Sequence, residues 1–169
     1  LRVVTDTPLP LEKWSLVRFN DGALAGYLLQ PAHLFAEETQ AVLTCNRKNK
    51  RLILSLTTRV GAEWLSQVTA ELEDRQKRPH GAALTLDLRT TGGSFVSDYL
   101  YSVTANSVRL SLWFPESLGE RLSTAETMRW EVEASRANQG MLRGEISLRG
   151  LAQILPYIYR ECDVTSAKR

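Results

Sequence analysis

Two cysteines, Cys45 and Cys162, carry the most reactive side-chain chemistry in this chain, and their settings differ. Cys45 closes the apolar run Ala41-Val-Leu-Thr-Cys45, ahead of a polar turn and a second run, Arg51-Leu-Ile-Leu-Ser-Leu-Thr-Thr58. Cys162 ends the segment Gly150-Leu-Ala-Gln-Ile-Leu-Pro-Tyr-Ile-Tyr-Arg-Glu-Cys162. One thiol is therefore expected on a strand and the other at the end of a helix. Cytosolic chains often carry two reduced cysteines, but this placement favours a bond that ties the last helix onto a sheet in an oxidising compartment. Such a bond would constrain the unfolded chain by about 4–5 kcal/mol.

Other chemistries find less support. His33 and His80 stand far apart in expected loops, and neither has a second histidine at i+3 or i+4. There is no C-x-x-C and no H-E-x-x-H, so solvated loop imidazoles are the simpler reading, and neither a metal nor another cofactor is expected. No G-x-S-x-G elbow is present. A pairing of Cys45 or Cys162 with His80 is opposed by the apolar setting of Cys45, where a thiol is usually inert or bridged. Thr90-Thr-Gly-Gly93 reads as a turn between strands, since no Gly-Lys-Ser/Thr triplet follows. The carboxylates Glu37-Glu38, Glu116 with Glu120, and Glu131 with Glu133 read as solvated faces. No catalytic residue is assigned, and the chain is not expected to be an enzyme, short of residues that meet only in three dimensions.

Binding candidates remain. Arg47, Lys48, Lys50 and Arg51 form the densest positive cluster, on a hairpin tip beside Cys45. That tip suits an acidic partner or an anionic surface, although exposed turns are commonly charged. Tyr99 with Tyr101, and Tyr157 with Tyr159, are candidates for lining a surface groove. Trp14, Trp64, Trp113 and Trp130 mostly fall on the apolar phase of their elements and are expected in the core.

The elements that must position these residues follow from periodicity. Residues 1–13 read as an extended lead-in. Trp14–Phe19 and Ala23–Leu29 flank Asn20-Asp-Gly22 as a first hairpin. The runs 41–45 and 51–58 form a second, with Leu52, Leu54 and Leu56 alternating with Ile53, Ser55 and Thr57. Trp64, Leu65, Val68 and Leu72 recur at helical spacing within 61–78, and a strand over 66–73 is the competing reading. Period two returns at Leu84, Leu86 and Leu88, in a mixed strand over 95–102, and in Val108-Arg-Leu-Ser-Leu-Trp-Phe114. Pro115 opens a short helix. Strands over 127–134 and 141–148 follow, and a helix from about Leu148 to Arg160 takes Ser147 as its N-cap.

This pattern predicts a mainly β, α+β fold: one antiparallel β-sandwich-like domain over 1–169 with a C-terminal helix packed on the sheet and a flexible tail over 163–169. With 169 residues, 43% hydrophobic and 24% charged, the chain can bury a full core without a metal. A net charge of +2 lacks the clustered positive field of a nucleic-acid binder. No apolar run is long enough for an integral membrane segment. The chain opens on Leu1 rather than methionine, as expected of a processed product or fragment whose signal peptide has been removed.

The ending Gly144-Glu-Ile-Ser-Leu-Arg-Gly-Leu-Ala-Gln-Ile-Leu-Pro-Tyr-Ile-Tyr-Arg-Glu-Cys162 resembles the closing signature of the VasI/TagO proteins, periplasmic accessory proteins of bacterial type VI secretion. Val42-Leu-Thr-Cys45, its polar turn and Leu52-Ile-Leu54 resemble their earlier cysteine-bearing hairpin. A related pattern opens the last helix of the invasion-associated IalB-like proteins. The likeness spans 41–58 and 108–162, and it departs at Asp163-Val164, where those families place an aromatic residue. It implies a noncatalytic envelope protein with a disulfide-tied β-rich domain, and it transfers no active-site residue. The expectation is a periplasmic or secreted binding or accessory protein with a protein partner in the cell envelope. The alternative is an inhibitor or immunity protein that blocks a cell-wall hydrolase or toxin, inserting the 46–50 tip or the 90–93 turn.

Overall fold

The computed structural model describes residues 3–4, 11–32, 38–76, 84–88, 93–104, 106–132 and 142–167. In chain order the elements are β1 (Val3–Val4), β2 (Ser15–Phe19), β3 (Leu24–Gln30), β4 (Thr39–Asn46), β5 (Arg51–Arg59), α1 (Ala62–Gln76), β6 (Leu84–Leu88), β7 (Gly93–Ser97), β8 (Leu100–Val103), β9 (Ser107–Phe114), α2 (Glu116–Leu122), β10 (Thr127–Val132), β11 (Arg143–Ser147) and α3 (Leu151–Ala167). They build two antiparallel sheets, one ordered β1-β2-β3-β4-β5-β9-β8 and the other β11-β10-β6-β7. The mainly β, α+β class follows, with the C-terminal helix laid on the larger sheet.

Alternation decides which side of the larger sheet is inside. Successive strand residues point to opposite faces, so Leu52, Leu54, Leu56 and Thr58 of β5 turn inward together. Their partners on β9 include Phe114, Leu112, Leu110 and Val108, which are buried as well. On α3, Leu151, Ile154, Leu155, Ile158 and Cys162 are buried at spacings of three, four and seven, a single apolar stripe. This stripe lies on β2, β3 and β4, where Gly26 leaves room for it. A Cβ at Gly26 would stand 2.9 Å from the Ile154 Cδ1 and 3.0 Å from that of Ile158.

The second sheet joins the same core. Met128, Trp130 and Val132 of β10 and Ile146 of β11 are buried with the stripe of α3. Three bonds fasten β11 and its exit to the first hairpin. The Trp14 indole N–H donates to the Ser147 carbonyl at 2.9 Å, the Ser147 N–H donates to Gln30 Oε1 at 3.0 Å, and the Trp14 N–H donates to the Arg149 carbonyl at 2.8 Å.

Several expectations change in detail. Within the 61–78 segment, Ala62–Gln76 is the helix α1 rather than the competing strand. The mixed strand over 95–102 is two strands, because the chain leaves the smaller sheet at Ser97 and joins the larger one at Leu100. Ser147 ends β11 and is not an N-cap; its hydroxyl accepts from the Arg149 N–H at 3.1 Å, and Gly150 makes the turn at φ 87° before α3 begins at Leu151. The helix continues past Cys162 to Ala167, where a flexible tail was expected.

Candidate partner-binding site

The basic cluster sits on the β4–β5 turn, and local hydrogen bonds shape it. The Lys50 N–H donates to the Asn46 carbonyl at 2.7 Å, Asn46 Oδ1 accepts from the Lys48 N–H at 3.0 Å, and Asn49 Oδ1 accepts from the Arg51 N–H at 3.2 Å. Such side-chain bonds to nearby backbone are why asparagine is favoured in turns. Lys50 takes φ 56°, a left-handed conformation that costs a side-chain-bearing residue about 1 kcal/mol relative to glycine.

Both faces of this hairpin end are anchored. On the inner face Cys45 and Cys162 are joined in a disulfide, with 5.5 Å between their Cα atoms and 117 positions between them in sequence. Arg47 adds an ion pair to Glu161 of α3 at 3.6 Å, whose exposure keeps its contribution below about 1 kcal/mol. On the outer face the Arg51 guanidinium stacks 4.6 Å above the centroid of the Trp113 ring. Cation–π contacts of this exposed kind contribute about 0.5–1 kcal/mol and hold the guanidinium flat.

Trp113 corrects the expectation that the tryptophans belong to the core. Trp14 and Trp130 are buried, but Trp113 is 41% exposed. Its phase was readable: Val108, Leu110, Leu112 and Phe114 take the even positions of β9, which leaves 113 outside. The tyrosine candidates also separate. Tyr99 is only 4% exposed, and Tyr101, partly buried, packs against the core on the inward phase of β8. Their alternation was visible, but which side of β8 is covered depends on its pairing with β9. Tyr157 is exposed beside Arg160, at 5.7 Å. Tyr159 turns inward against Gly119 of α2, and burial, then Glu116 and Glu120, push its hydroxyl above the ordinary phenol value.

Glu131 lies on the exposed face of β10, and Arg129 beside it pairs with Glu145 at 2.8 Å. His33, Glu37, His80, Glu133 and Thr90 to Gly92 lie outside the described residues. Among the described residues no helix is long and apolar enough to cross a membrane. Comparison with known proteins finds no matching family model, no significantly similar curated protein and no significantly similar solved structure.

Proposed function

We propose that this chain is a noncatalytic binding or accessory protein of a bacterial cell envelope, periplasmic or secreted, serving a secretion apparatus of the type VI kind. The observation that supports this reading most is the Cys45–Cys162 bond. Disulfides persist in oxidising compartments and are reduced in the cytosol. Here the bond secures the end of the hairpin that carries Arg47, Lys48, Lys50 and Arg51, so the oxidising environment and the candidate binding element are linked through one covalent contact. The likeness of 41–58 and 108–162 to VasI/TagO proteins points the same way.

Mass measurement on unreduced protein taken from the oxidising compartment is expected to give a chain lighter by two hydrogens than the dithiol. Free thiols there would remove the bond that this reading rests on and overturn it. Crosslinking in the producing cell is expected to join the chain to subunits of a membrane complex. A soluble cell-wall hydrolase as the crosslinked partner would instead establish the inhibitor reading, which the well-ordered turn at 46–51 favours as an insertable element.

A further inference from the structure

The outward face of the larger sheet has an unusual charge distribution. The chain carries 19 acidic residues, yet no Asp or Glu occurs anywhere in β2, β3, β4, β5, β8 or β9. Outward positions of β5 and β9 hold Arg51, Arg59 and Arg109, and none of these has a carboxylate partner among the described residues. Arg59 and Arg109 are diagonal neighbours at one end, since Arg59 faces Ser107 and Thr57 faces Arg109. Arg51 and Trp113 stand at the other end. At a rise of about 3.3 Å per residue the two cationic ends of β5 are about 26 Å apart.

Between them the surface is apolar and hydroxylic. Tyr27, Val42, Ser55, Ser111 and Leu100 form one row across five strands, in direct register. Ile53 stands beside Trp113 in the next row. Tyr27, Val42 and Ile53 are only partly buried and do not pack on the main core. Leu100 is 74% exposed. Toward β2 the same face closes over Val17 and Ala25, so the accessible part is centred on β4, β5, β9 and β8.

We infer that this face docks an acidic protein surface, one with carboxylates flanking a short apolar strip. The inference rests on the binding reading above and names its surface and partner. Interface centres are enriched in tryptophan, tyrosine and arginine and poor in lysine, aspartate, glutamate and serine. Trp113, Tyr27, three arginines and the absence of acidic residues fit, while Ser55 and Ser111 in the central row do not. Arginine offers planar, bidentate pairing to carboxylates, and arginines already at opposite ends set the spacing of the complementary charges. A second copy of the chain is a poor occupant. A two-fold contact would bring arginines towards arginines with no carboxylate in either face to meet them.

The test uses the disulfide-intact, isotope-labelled protein and three probes: a peptide alternating glutamate with leucine or valine, its lysine-for-glutamate counterpart, and polygalacturonate as an anionic polymer without apolar side chains. The acidic peptide is expected to shift amides of β4, β5 and β9 and change Trp113 fluorescence, with binding at least tenfold weaker in high salt. Arg51→Glu with Arg109→Glu should lower affinity at least tenfold and gain binding to the lysine peptide. If that variant loses its fold, Arg51→Gln with Arg109→Gln should still lose affinity. Tighter binding of polygalacturonate on the same amides would overturn the proposal in favour of an acidic glycan. Self-association with loss of the Trp113 signal would overturn it in favour of a dimer. No shift on this face would also overturn it, and an envelope partner crosslinked elsewhere would then leave the broader binding function standing.

Discussion

At Tyr159 a phenol hydroxyl is pressed against the backbone of Gly119, with no hydrogen-bond partner among the described residues. An alanine at 119 would put its Cβ into that hydroxyl, so Gly119→Ala is expected to destabilise the protein by about 1–3 kcal/mol. Tyr159→Phe removes the unsatisfied oxygen and should be neutral or stabilising by about 1 kcal/mol. In denaturant titrations the double variant should recover much of the loss from Gly119→Ala, because the severe overlap is with the hydroxyl oxygen, while the Tyr159 Cζ and Phe114 Cε1 are only tight at 3.2 and 3.3 Å. A pH signature follows from the same residue. Its folded value lies above the ordinary 10.0, through burial and then Glu116 and Glu120. Above pH 10 the unfolded chain therefore loses a proton that the folded protein retains, and stability falls as pH rises. Unfolding measured between neutral pH and the alkaline limit should show a steeper decline for the parent protein than for Tyr159→Phe. If both decline equally, the hydroxyl is not held in its neutral form.

Among the elements, α3 and the β4–β5 hairpin depend on each other. Replacing Cys45 and Cys162 together by alanine should cost about 2–5 kcal/mol in chemical denaturation, and reductant should reproduce the loss in the parent protein. Gly26→Val should also loosen α3, since even a Cβ there would crowd Ile154 and Ile158; a loss of about 1–3 kcal/mol is expected. Much of this layer was legible from local pattern. Strict alternation in 51–58 and 108–114 marks two strands and the buried side of each, and the stripe from Leu151 to Ile158 marks a helix. The errors fall where long-range pairing decides. Nothing local to Ser97-Asp-Tyr-Leu100 tells that the chain changes sheets there, and this change is what turns Tyr99 and Tyr101 inward. Ser147 carries a good N-cap side chain, yet its backbone is committed to β10 and Gln30. The basic tip was visible as composition, whereas the arginine and tryptophan face beside it emerges only when β5 and β9 are known to be neighbours.

For the whole molecule, the exposed edge at β8 is short, which limits strand addition by other copies, and Leu100 is its most accessible apolar residue. Leu100→Lys should leave thermal stability within about 0.5 kcal/mol and reduce light scattering in concentrated samples. A greater tendency to aggregate would show that the leucine is not a liability at that edge. The α3 stripe, Cys162 and the inner faces of both sheets belong to one shared core, so loss of α3 is expected to affect both sheets in a single cooperative transition.

The bonds from Trp14 and Gln30 to Ser147 and Arg149 also bear on how the polypeptide is made. A nascent chain emerging from the ribosome has its first hairpin long before residues that cap the indole and the amide exist. Until α3 arrives, Gly26 and its neighbours remain an open greasy shelf. The first hairpin is thus completed only by residues more than a hundred positions downstream, so its final packing waits for β11 and α3.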